Sequence, residues 1–261
     1  MRFNRTSLLR LLLLATVQLL GACSMIMGAK PVMPVAQGIT FYRVDQSPAP
    51  TVILLPGCGG IPRQDGVPVL WQVHWLNDNG FNAVLVDYVR IMGLDSACFG
   101  QIKPDDFRKL LHEAITYTAS QSFVDRDHIA LLGESLGASA ALTIAQEMKP
   151  DDRPQIAAVA AYYPGCYRGL ELSKIPTLLL LGLADDVVNP YACIEMANRS
   201  PQTPLVLKTY WGAYHGFDSV ELKGKKTRHF LWKTFTAEYD PEAAADARKT
   251  LAAFLKKYNR P

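Results

Sequence analysis

The pentapeptide Gly133-Glu134-Ser135-Leu136-Gly137 is the stretch of this chain with the clearest chemical capacity. It follows the apolar run 129–132 and opens a helical pattern at Leu136. A G-x-S-x-G segment between a strand and a helix turns sharply enough to lift its serine hydroxyl above the sheet, where it can attack a carbonyl carbon. The helix beginning behind it adds free amides and a positive dipole end for the oxyanion that forms. A serine in a tight turn whose glycines serve only packing is the plain alternative. Partners elsewhere in the chain must decide.

A serine hydroxyl attacks poorly until a base takes its proton, and the chain has five histidines. His74 and His112 lie inside helical patterns, and His128 opens a strand on the wrong side of the sheet. His229 belongs to the basic stretch 223–229 (KGKKTRH), which reads as a solvated loop or a lid. His215 follows the apolar run 205–209 in a glycine-flanked loop, Gly212 to Phe217, and is the candidate base. A base of this kind needs a carboxylate to fix its tautomer and stabilise its cation. Asp185, three residues after Gly182 and beyond the run 177–181, is the candidate, with Asp186 as runner-up. For the oxyanion, one donor is the amide of Leu136. The second is the amide of Cys58, in Pro56-Gly57-Cys58-Gly59-Gly60 after the run 52–55. No Lys-Ser or Lys-Thr follows those glycines, so they do not form a phosphate-binding loop.

These groups need a scaffold that brings loop after loop to one edge. Apolar runs at 39–44, 52–55, 83–87, 129–132, 157–162, 177–181 and 205–209 read as strands. Most are continuous Val, Ile, Leu and Ala, as strands buried on both faces should be. Helical patterns at 69–79, 105–120, 136–148, 190–197 and 241–257 fill the gaps. This alternation predicts an α/β fold with a mostly parallel central sheet and helices on both faces. Ligands in such sheets bind in the loops beyond the strands' carboxyl ends.

The amino terminus is set apart from that domain. Arg2, Arg5 and Arg10 precede ten apolar residues, 11–20, and then Leu20-Gly21-Ala22-Cys23. The run is too short for a comfortable transmembrane helix and suits a signal peptide. The tetrapeptide resembles a bacterial lipobox, which implies removal of residues 1–22 and acylation of Cys23. Residues 23–37 read as a lipidated tether, and 38–261 as the folded domain. Ser24 after the cysteine implies the periplasmic face of the outer membrane. The 27 basic and 24 acidic residues fall to 24 against 24 once the signal is gone, which argues against a nucleic-acid partner.

With these residues placed, the chain resembles the dienelactone hydrolase family of α/β-hydrolases over roughly residues 50–258. The stretches that carry the likeness are LLPGCGG (54–60), GFNAVLVDY (80–88), VDRDHIALLGESLGASAAL (124–142), AYYPGC (161–166), PTLLLLGLADD (176–186), YHGFD (214–218) and YDPEAAADA (239–247). The resemblance implies an α/β-hydrolase fold and a carboxylic ester hydrolase that cleaves a small ester or lactone through an acyl-enzyme, with neither metal nor cofactor. The name-giving enzymes use a cysteine nucleophile where this chain has Ser135, and Pro56 stands where the wider superfamily has a histidine. Arg90, after Asp87-Tyr88, is a candidate for holding a substrate carboxylate. The same triad would also serve an acyltransferase or a peptidase, and a binding lipoprotein on a retired hydrolase fold is the non-enzymatic alternative. In this fold the strands before Cys58 and Cys98 are neighbours, as are those before Cys166 and Cys193. The pairs Cys58–Cys98 and Cys166–Cys193 are therefore the expected disulfides.

Overall fold

The computed structural model describes residues 29–260 except 62, 65, 66, 69, 99, 150, 151, 153, 168, 169, 225, 231 and 232. Seven strands form the central sheet: β1 (Ile39–Tyr42), β2 (Ala49–Leu55), β5 (Asn82–Val86), β6 (Val124–Glu134), β7 (Ala158–Tyr162), β8 (Thr177–Gly182) and β9 (Leu205–Tyr210). Their order is β1-β5-β2-β6-β7-β8-β9; β1 runs antiparallel to β5 and every other pairing is parallel. All seven apolar runs read from the sequence are strands. The side-chain alternation of β2 shows why: Ile53 and Leu55 enter one core, Val52 and Leu54 the other.

Helices α1 (Trp71–Asp78) and α6 (Pro241–Tyr258) cover one face through Val73, Leu76, Leu251 and Phe254. Helices α3 (Pro104–Ala119), α4 (Leu136–Glu147) and α5 (Pro190–Asn198) cover the other. Pro104, Pro190 and Pro241 each stand at a first helical position, where a missing N–H leaves no bond unmade. Asp240 caps α6 by accepting from the amides of Glu242 and Ala243. No described helix is long and apolar enough to cross a membrane.

Three elements depart from the sequence reading. A four-residue helix, α2 (Tyr88–Ile91), follows β5 at once, capped by Asp87. The stretch read as a solvated basic loop supplies a strand, β10 (Lys226–Phe230), paired with β11 (Lys233–Ala237). Cross-strand pairing defines this hairpin, and its sequence, KTRHF followed by KTFTA, carries no apolar period. A smaller hairpin joins β3 (Arg63–Gln64) to β4 (Val67–Pro68). The segment 29–37, read as tether, is fastened to the domain: Val35 is 2% exposed, and the amides of Ala29 and Val32 bond to the carbonyls of Gln101 and Ile91.

Candidate active site

Ser135 sits between β6 and α4 with φ 50° and ψ −115°. Positive φ in a residue with a Cβ costs about 1–3 kcal/mol, which the surroundings must hold in place. The Ser135 amide donates to Tyr162 O at 3.0 Å, and its carbonyl accepts from the Ser139 amide at 3.0 Å. The flanking glycines are needed for room: a Cβ on Gly137 would lie 2.1 Å from Leu55 O, and one on Gly133 2.5 Å from Ala138 N. The sharp turn expected from the pentapeptide is what these contacts enforce.

His215 and Asp185 reach the serine from the loops after β9 and β8. His215 Nε2 lies 3.0 Å from Ser135 Oγ, and His215 Nδ1 lies 2.7 Å from Asp185 Oδ2. The other Asp185 oxygen accepts the amides of Val187 at 2.9 Å and Val188 at 3.0 Å, which fixes the carboxylate plane. Asp186 turns away and accepts the Thr236 amide of β11. The two loops are joined directly, since the amides of Leu183 and Ala184 bond to Tyr210 O and Ala213 O. Gly182 permits that approach, because a Cβ there would meet Ala213 O at 2.4 Å.

The glycine-rich loop after β2 forms the opposite wall. Buried Tyr88 donates its hydroxyl to Pro56 O and Gly57 O, at 2.9 and 2.8 Å, and Ala97 donates to Cys58 O. With the Gly57 carbonyl drawn toward Tyr88, the trans peptide turns the Cys58 N–H the other way. Leu136, at the first position of α4, has no acceptor for its N–H within the helix. Cys58 is bonded to Cys98, and Cys166 to Cys193, the two expected disulfides. A cavity of about 290 Å³ opens on this constellation, walled by the 57–60 loop, Leu70, Trp71, Gln72, Tyr163 and Leu222.

Other expected positions fall away from it. Arg90 is exposed on α2 and is not part of the cavity wall; capping by Asp87 starts a helical turn that carries its side chain outward. His128 bonds Asp125 near the start of β6, His112 faces Glu147, and His74 is exposed on α1. The His229 side chain and Cys23 lie outside the described residues. Among those residues no cluster of His, Cys, Asp and Glu could hold a metal ion.

The sequence reading missed a layer beneath the triad. Asp218, wholly buried, accepts the Tyr163 hydroxyl at 2.6 Å and the Trp71 indole N–H at 3.2 Å. The Tyr163 ring packs 4.6 Å from that of His215. Glu134, beside the nucleophile, accepts from the Gln72 amide. Burial first, and then the charge of Asp218, raises the Glu134 carboxyl well above the ordinary carboxylate range. Burial also raises Asp218, against the opposing pull of its hydrogen bonds from Tyr163 and Trp71. Glu134 and Asp218 both lie inside motifs that the sequence reading quoted. Nothing in either motif pairs them, because 84 residues separate them in the chain.

Residues 38–259 match the model of the dienelactone hydrolase family. The chain belongs to the dienelactone hydrolase family. As a member of it, the protein is a carboxylic ester hydrolase. No curated protein matches its sequence. Among solved structures, the family fold recurs in a dienelactone hydrolase-like promiscuous phosphotriesterase from metagenomic libraries, at TM-score 0.63 and 17% identity over 85% of this chain and 99% of that one. A thermophilic esterase from Thermogutta terrifontis aligns at TM-score 0.58 and 17% identity, covering 88% and 94%. A carboxylesterase from Lactobacillus plantarum gives TM-score 0.60 and 17% identity, covering 84% and 92%. At these identities the likeness to solved structures concerns the fold.

Proposed function

We propose that this dienelactone hydrolase family member cleaves a small or medium carboxylic ester or lactone through an acyl-enzyme on Ser135. The observation that carries the reading is the continuous hydrogen-bond line from Ser135 Oγ through His215 to Asp185. His215 Nε2 takes the hydroxyl proton as Oγ attacks the carbonyl carbon. The oxyanion is held by the N–H groups of Leu136 and Cys58. Collapse breaks the ester C–O bond, and the leaving alkoxide takes the proton from His215. Water then attacks the acyl carbon with His215 again as base, freeing the acid and restoring the serine. A cavity of about 290 Å³ suits a substrate of modest size.

A p-nitrophenyl ester series of increasing acyl length tests this reading. Hydrolysis should be measurable with the wild type and fall on the order of 10⁴-fold or more in Ser135→Ala. Undiminished turnover in the variant would refute it. We also infer that the chain is exported and anchored by acyl chains on Cys23, at the periplasmic face of the outer membrane. The charged n-region, the ten-residue apolar run and the placement of Cys23 support that location.

A further inference from the structure

We infer that the carboxyl edge of the sheet, where Ser135 stands, rests on the membrane surface, so that the enzyme draws its ester from the lipid interface. This rests on the proposed acylation of Cys23.

Three observations carry it. First, the chain enters the domain on that edge. Ile39 of β1 pairs with Val86, the last residue of β5, and Ala29 bonds to Gln101 just before α3 begins. Second, the tether is short. Six residues from Cys23 to Ala29 reach about 20 Å at full extension. Helix α3, 16 residues long, starts beside Ala29 and runs about 24 Å to the opposite edge. An anchor at Cys23 therefore cannot place that far edge on the bilayer.

Third, the exposed apolar side chains gather on the near edge. Seven large hydrophobic residues are exposed among the described ones, and five stand in loops or first turns at this edge. Val32 lies by the tether, Val187 and Tyr191 follow β8, Trp211 follows β9, and Val220 sits on the cavity rim between Ser219 and Glu221. Tyr117 lies in the last turn of α3, and Tyr167 lies on the flank by Thr143. Single exposed apolar residues are ordinary. These side chains stand toward the two ends of an edge about 29 Å wide at the usual strand spacing, with the proposed acyl anchor and Val32 at one end and Trp211, 87% exposed, with its neighbours at the other, a surface suited to an interface.

The test uses full-length protein purified from membranes and reconstituted into phosphatidylcholine and phosphatidylglycerol vesicles. Mass spectrometry of the amino-terminal peptide reports acylation. Brominated phosphatidylcholine should quench tryptophan fluorescence in the wild type, and the quenched component should disappear in Trp211→Phe. Trp211→Ser with Tyr191→Ser should lower the rate on a long-chain ester carried in the vesicles about tenfold. The same variant should hydrolyse a water-soluble short-chain ester as the wild type does. An amino terminus without acyl chains would overturn the anchor and the orientation together. Acylated, vesicle-bound protein with unquenched Trp211 and an unchanged rate on the vesicle ester would overturn the orientation alone. Quenching reads out independently of turnover, so an inactive enzyme would count against the hydrolase reading and leave the orientation measurable.

Discussion

Two carboxylate sites meet around His215 and are built in opposite ways. Asp185 stands at a loop tip, where two backbone amides and His215 meet its oxygens. Glu134 and Asp218 lie under the triad among tyrosines, with the Gln72 amide on one and Tyr163 and Trp71 on the other. Burial pushes both of the latter toward the protonated form. The difference teaches a division of labour. In the proposed mechanism the loop carboxylate orients the base His215, while the buried pair braces the wall behind it, through Tyr163 against the imidazole.

The sharpest way to break this comparison is to neutralise one member of each kind. Asp185→Asn should lower kcat/KM on the order of 10⁴-fold, as when a triad acid becomes an amide. Asp186→Asn, whose amide oxygen can still accept the Thr236 N–H, should change it by no more than about tenfold. A steady-state comparison on one ester decides it, and the reverse ranking would move the acid to Asp186.

Asp218→Ala should act mainly on stability. It leaves a tyrosine hydroxyl and an indole N–H without their acceptor, which costs about 3 kcal/mol in urea unfolding. Turnover should fall far less than in Asp185→Asn. A loss as large as that would erase the distinction drawn above.

The smallest effect is a pH dependence. An unfolded glutamate loses its proton near about pH 4.3, whereas native Glu134 keeps it to higher pH. Between those values the folded state binds more protons, so stability falls as pH rises. Glu134→Gln cannot ionise, and its Tm should decline less than the wild type's from about pH 5 to about pH 8. Equal declines would remove Glu134 as the proton holder.

How much was legible follows from what each part depends on. The seven strands, the sharp turn at Ser135 and the positions of Asp185 and His215 are properties of local pattern and chain order. Both disulfides followed from which strands are neighbours in the fold the chain resembles. The Glu134–Asp218 layer was not legible, because it exists only where the end of β6 meets the loop after β9. Arg90 looked placed for the site because it follows β5, but a short capped helix turns it outward. The hairpin β10–β11 was hidden by its charge, and the fastening of segment 29–37 by its lack of period; the burial of Val35 and the backbone bonds of Ala29 and Val32 reveal it.

The covalent step is the centre of the account and can be trapped. Wild-type enzyme mixed with a slowly deacylating p-nitrophenyl ester, quenched within the burst and digested, should carry one acyl group on the peptide containing Ser135. Ser135→Ala under the same conditions should carry none. A burst with no adduct at Ser135, or an adduct on another residue, would contradict the mechanism.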